Sequence, residues 1–277
     1  MTNETIRVSR EWLALREPAD AAARARDLAE RLAGRPPATG RWVIHDLGGG
    51  TGAMGRWLAP LLPGPQHWVV HDRDADLLAV AAAEGPGPAA DGDAVTVETR
   101  CSDITRLGPG DLAGATLITA SALLDMLTEE DLAGLVTPCA GAGCPVLLTL
   151  SVVGRVRLAP ADPLDGRVAA AFDAHQRRET QRGRLLGPDA VARAVEGFER
   201  AGAEVLARPS PWRLGPAQAD LAAEWFTGWV RAACEQQPEL AEETDAYARL
   251  RLAQAAAGEL TVTVDHADLL SLPGRSP

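Results

Sequence analysis

Between Arg10 and Leu32 the apolar positions Trp12, Leu13, Leu15, Ala19, Ala22, Ala23, Leu28 and Leu32 fall near helical spacing. Pro18 lies inside that run, so the pattern predicts two helices or one kinked helix, closed by Gly34, Pro36 and Pro37. From residue 42 the rhythm shortens. Apolar runs at 42–47, 67–72, 95–99, 115–120 and 145–153 read as strands, and the stretches at 53–59, 75–83 and 129–137 read as helices between them. The run at 145–153 is almost wholly apolar, as expected for a strand covered on both faces. Strands alternating with helices predict a parallel sheet with right-handed crossovers. After Val153 come a Pro/Asp-rich turn at 160–166 and an amphipathic helix through Phe172 and His175. A helix at 188–201, a strand at 203–208, a helical block at 216–257 and an alternating strand at 260–266 follow.

This pattern suits one domain spanning 1–277. It divides into an N-terminal helical cap (1–38), a core (39–153), an insertion after the fifth strand (154–188) and a C-terminal half (189–270) carrying a helical insertion at 211–258. Hydrophobic residues make up 46% and charged residues 23%, values of a folded chain rather than a disordered one. The net charge is −11, and all 27 basic residues are arginine. An acidic chain lacks the footprint of a protein that grips a phosphate backbone, so no nucleic-acid partner is expected. No apolar run approaches the roughly 18 residues of a membrane span, and the Met1-Thr2-Asn3-Glu4 start has no signal-peptide character, so no membrane partner and a cytoplasmic location are expected. The four cysteines lack paired spacing, which predicts free thiols and no metal site.

The richest stretch is Asp46-Leu47-Gly48-Gly49-Gly50-Thr51-Gly52, at the end of the first strand, with Asp72 closing the second. Glycines at a strand–helix turn let backbone N–H groups approach a ligand closely, and an acid ending the second strand is placed to accept from ribose hydroxyls. A purely structural tight turn is the plainer alternative. Gly50, Gly52 and Gly55 also satisfy the dinucleotide pattern GxGxxG. Asp46, however, would face a pyrophosphate with like charge, whereas it suits a ligand carrying an ammonium group.

On Asp46, Gly48, Gly50 and Gly52, on Asp72, and on Asp103 within Cys101-Ser102-Asp103-Ile104, the sequence resembles class I S-adenosylmethionine-dependent methyltransferases. The resemblance covers roughly residues 40–153 well and 189–270 loosely. It implies a Rossmann-like α/β fold: a seven-stranded, mostly parallel sheet with helices on both faces and an antiparallel final strand. N-terminal helices and a helical insertion before the last strand complete it. It further implies S-adenosylmethionine as cofactor, with Asp46 and Gly48 near its methionine part, Asp72 at the ribose, and Asp103 with Ile104 at the adenine. Ser121, after the fourth strand, would also contact it. The Asn/Asp/Ser-Pro-Pro-aromatic signature of base-modifying members is absent: residues 119–125 read Thr-Ala-Ser-Ala-Leu-Leu-Asp.

Methyl transfer from a sulfonium is a direct displacement in which the protein supplies alignment and a dry pocket. A hydroxyl or protonated nitrogen acceptor also needs a base. Asp125 follows the fourth strand, where ligands of open α/β sheets bind, and His175 titrates in the right range, so these two are the catalytic candidates. Trp12 and Arg16 on the first helix, and Asp165 in the insertion, are candidates for substrate contact. Asp20 and Arg24 have the spacing of an i,i+4 ion pair. His45 and His71 read as core histidines, and the aromatics Trp225, Phe226, Trp229 and Tyr247 as packing at helical spacing. The leading expectation is transfer of a methyl group to oxygen or nitrogen of a small molecule. The rivals are an NAD-dependent oxidoreductase, a non-catalytic nucleoside- or partner-binding protein and, least favoured, a nucleic-acid methyltransferase. Apolar faces on the late helices would suit a homodimer contact as well as a substrate roof.

Overall fold

The structure, a computed structural model, describes residues 8–274. Five parallel strands form its heart: β1 (Trp42–Leu47), β2 (Gln66–Asp72), β3 (Val95–Cys101), β4 (Leu117–Ser121) and β5 (Val146–Ala159). Two further strands, β8 (Glu204–Pro209) and β10 (Thr261–Leu272), complete the order β3-β2-β1-β4-β5-β10-β8, with β10 antiparallel to both neighbours. A ribbon of two-residue strands, β6 (Glu179–Thr180) and β7 (Gly183–Arg184), stands apart.

β1 lies at the centre because its side chains are apolar on both faces. Trp42 and Ile44 pack with Leu28, Leu32, Met54, Leu58 and Trp68 under α2 (Arg26–Ala33) and α3 (Ala53–Leu58). Leu47 faces the other way, toward Ile118, Leu148 and the buried sides of α5 (Glu129–Gly141) and α7 (Ala190–Arg200). α4 (Ala75–Ala83) covers β2 and β3. A third apolar cluster sits beyond the end of the main sheet. There α6 (Asp165–Gln176), α8 (Ala219–Gln236) and α9 (Ala241–Ala256) pack on the far halves of β5 and β10.

Three expectations are corrected. α1 (Arg10–Ala23) runs unbroken through Pro18, and the chain breaks instead at Arg24 and Ala25, which have extended backbone. Strands β5 and β10 reach 14 and 12 residues, because they pair antiparallel along almost their whole length. Their outer halves carry charge that hid them from an apolar pattern: Arg155 and Arg157 of β5 both pair with Asp265 of β10. An unexpected short strand, β9 (Trp212–Leu214), pairs with the first half of β10, so the sheet has eight strands rather than seven.

Candidate functional site

At the carboxyl end of β1 the chain makes a tight glycine turn. Gly48, Gly50 and Gly52 have φ of 65°, 54° and 80°, a region that residues with a Cβ rarely enter. Gly49 is needed for space: a Cβ there would lie 2.5 Å from Asp46 Oδ2 and 2.7 Å from Val70 Cγ1. The turn is held by the neighbouring strand. Gly49 N–H donates to the His71 carbonyl at 3.0 Å, and Gly50 N–H donates to Asp72 Oδ2 at 2.9 Å. Asp72 Oδ1 accepts from Asp74 N–H at 2.9 Å, and each carboxylate oxygen retains capacity for a second donor.

Beneath the turn lies Asp46, only 1% exposed. Its Oδ1 accepts from the Thr119 hydroxyl at 2.7 Å, and its Oδ2 is buried without a hydrogen-bond partner. Burial pushes its carboxyl up to about 7, against the opposing pull of the Thr119 hydroxyl and the Arg24 guanidinium. An unpaired buried carboxylate is costly, so the turn is built around an acid that is left waiting for a donor.

Arg24, at the break between α1 and α2, reaches the same place and is 5% exposed. Its Nη2 donates to Ser121 Oγ at 3.1 Å, its Nε to Thr149 Oγ1 at 3.4 Å, and the guanidinium lies over the Trp57 ring at 5.3 Å. Its Nη1 has no partner. Burial holds its pKa below the usual arginine value. Arg24 and Asp46 line one small cavity of about 70 Å³, together with Leu13, Arg16, Gly50 and Ser121. Ala122, in its wall, has φ of 51°, a strained backbone of the kind found at ligand sites. Ligand pockets usually run to roughly 300–1,000 Å³, so this cavity takes only one end of a nucleoside-sized molecule. The cover is α1. Leu13 Cδ1 sits 3.4 Å from where a Cβ on Gly50 would be, Glu17 grips Arg56 through two bonds of 2.6 Å, and Trp212 Nε1 donates to Asp20 at 2.8 Å.

No protein-family model matches the chain, and no curated protein matches it in sequence. Solved structures do resemble it. YcgJ from Bacillus subtilis is 12% identical, with a TM-score of 0.51 over 91% of this chain and 100% of that one. The cyclopropane synthase MmaA2 from Mycobacterium tuberculosis is 14% identical, with a TM-score of 0.51 over 95% of this chain and 94% of that one. With the strand order and the antiparallel β10, these likenesses decide the architecture. The chain has the class I S-adenosylmethionine-dependent methyltransferase fold. A dinucleotide site finds little support here. α3 is a short six-residue helix, and a diphosphate at the glycine turn would meet the like charge of Asp46.

Within the methyltransferase fold the other predicted residues separate into two groups. Ser121 lines the cavity and accepts from both Arg24 and Thr149. Ile104 packs 3.9 Å from the Cβ position of Gly48. Asp103 is exposed after β3, where its Oδ1 accepts from the Thr105 N–H and hydroxyl. Asp125 sits after β4 with Gln176 Nε2 3.4 Å from its Oδ2, and burial raises its carboxyl to about 6, opposed by the charges of Arg16 and Arg178. Asp125 does not itself line the small cavity, but it feels the charge of Arg16, which does.

The second group is engaged by other parts of the fold. Asp165 is bound on all sides, accepting from Arg251 at 2.7 and 2.9 Å, from the Tyr247 hydroxyl at 2.7 Å and from Asp162 N–H at 2.9 Å. It clamps α6 to α9. His175 is carried to the seam between α6 and α8, with Glu235 4.0 Å away, and burial lowers its pKa. Trp12 packs against Trp212 with ring centroids 6.4 Å apart and does not line the cavity. Arg16 does line it, but its guanidinium is held by Asp20 at 2.9 and 3.2 Å. Asp20 therefore pairs with Arg16, and the expected Asp20–Arg24 pair does not form, which frees Arg24 for the cleft. His45 and His71 are buried and joined ring to ring at 3.0 Å, and Phe226, Trp229 and Tyr247 are packed inside the third cluster.

The sequence pattern marks neither Thr119 nor Asp268, and it offers Arg24 only a local ion pair. Asp268 is fully buried in β10 and receives Ala25 N–H and Leu150 N–H at 2.8 Å each, together with the Ser210 hydroxyl. It ties the α1–α2 break to β5 and so fixes where Arg24 enters. An acid inside the apolar run of residues 267–272 is the one signal that would have marked it.

Proposed function

We propose that the protein transfers a methyl group from S-adenosylmethionine to an oxygen or nitrogen atom of a small-molecule acceptor. The observation that carries this reading is the unpartnered Oδ2 of Asp46, buried beneath three left-handed glycines. That atom suits a ligand bringing an ammonium group and does not suit a diphosphate. The residues present fit the cofactor: Asp46 would take its amine, Asp72 its ribose hydroxyls, and Asp103 with Ile104 its adenine. When bound, the cofactor supplies an electrophilic methyl on a positively charged sulfur.

The chain's own contribution is alignment and proton removal. The glycine turn and Ser121 hold one side of the cleft, and α1 shields it from water. Asp125, with its carboxyl raised to about 6, is largely ionised at neutral pH yet more basic than an ordinary aspartate. It would serve as the base, taking up the proton that the acceptor's oxygen or nitrogen gives up on methylation. Titrating the full chain with S-adenosylhomocysteine and, separately, with NAD tests the reading. Binding of the first alone supports it. Binding of NAD alone, or of neither by folded protein, overturns it.

A further inference from the structure

Arg24 is the second unsatisfied group in the cleft. Its Nε and Nη2 are fixed by Thr149 and Ser121 and its flat face by Trp57, while Nη1 is buried and unpartnered; Arg24 lines the same cavity as Asp46, whose Oδ2 is also unpartnered. Asp46 and Arg24 make no direct pair, although the field of each reaches the other. A 70 Å³ cavity lined by an aspartate with an unpartnered oxygen and an arginine with an unpartnered nitrogen has the polarity of a zwitterion in reverse. An α-amino acid end presents that combination: an ammonium for the acid and a carboxylate for the arginine.

We infer that Arg24 recognises the α-carboxylate of the ligand, so that the protein selects for the complete aminoacyl end of the nucleoside rather than for the nucleoside alone. This rests on the reading that the cleft takes S-adenosylmethionine. Several observations make Arg24 suited to the task. Three of its sides are held by neighbours, so little side-chain freedom is lost on binding. Its entry point is set by Asp268 through Ala25 N–H, and Nη1 has no competing acceptor within the protein. A charge-assisted hydrogen bond in a dry site is worth about ten- to a hundredfold in affinity.

Calorimetric titration of the full chain with S-adenosylmethionine and with its decarboxylated form isolates this contact, because the two ligands share the adenosine, the sulfonium and the amine. The wild type is expected to prefer the complete ligand by about ten- to a hundredfold. In Arg24→Met the preference should shrink to within about threefold, with the decarboxylated ligand bound as well as before, and Arg24→Lys should restore part of it. Equal binding of both ligands by the wild type overturns the inference while leaving the cofactor assignment intact. It is likewise overturned if Arg24→Met weakens both ligands equally, which marks a structural arginine, or if the preference survives the substitution. Wild type that binds neither ligand overturns the cofactor assignment and this inference together.

Discussion

Replacing Asp46 with asparagine is expected to stabilise the ligand-free protein while abolishing cofactor binding. The folded carboxyl sits at about 7 against an ordinary value of 3.8, chiefly because burial penalises its charge. Between pH 4 and 7 the unfolded chain therefore gives up this proton and the folded chain keeps it. Stability is withdrawn as pH rises through that window, and the loss is complete above 7. Each pH step of one within the window costs about 1.4 kcal/mol, so the penalty grows by ~2–3 kcal/mol between pH 5 and pH 8. The asparagine amide keeps the acceptor for Thr119 and places an NH2 where Oδ2 was, a cost that does not depend on pH. The advantage of Asp46→Asn over wild type should thus increase by ~2–3 kcal/mol from pH 5 to pH 8, or about 3–5 °C in Tm. Thermal melts of both proteins at the two pH values measure it directly. A difference in Tm that stays constant, or narrows as pH rises, would refute the claim that Asp46 is held as a destabilised, waiting carboxylate.

Two further outcomes follow from the geometry. Asp125→Asn should lower methyl transfer to an acceptor from cell extract by about 10²–10⁴-fold. The wild-type rate should fall as pH drops through about 6, where Asp125 takes up its proton, and a rate independent of Asp125 would leave the base unassigned. Glu17→Ala removes the grip on Arg56 that helps hold α1 over the glycine turn, so stopped-flow association of S-adenosylhomocysteine should quicken several-fold. An unchanged association rate would mean that entry does not require α1 to move.

The alternation of short strand-like runs with helices made the parallel half of the sheet legible, because β1, β2 and β4 bury most of their side chains and tolerate few polar residues. The glycine turn was legible for a related reason: glycine adopts the φ values of residues 48, 50 and 52 without strain and clears Asp46 at residue 49. The outer halves of β5 and β10 were not, since Arg155, Arg157 and Asp265 satisfy one another across strands that a single-strand pattern cannot connect. The cleft role of Arg24 escaped notice for the same kind of reason. Local spacing offers it Asp20, but that acid is taken by Arg16 and Trp212, and the partners that fix Arg24 lie 97 and 125 residues away. His175 and Asp165 looked available as isolated polar residues and are occupied by helices the sequence does not place beside them.

The proton balance of ligand binding probes Asp46 most directly. A carboxyl at about 7 that meets an ammonium group must lose its remaining proton, so calorimetry of S-adenosylhomocysteine binding in buffers of different ionisation enthalpy at pH 7 should report release of about half a proton. Release should fade toward pH 9, where Asp46 is already ionised. Binding with no proton release at pH 7, or with proton uptake, would contradict an acid that receives the ligand's amine.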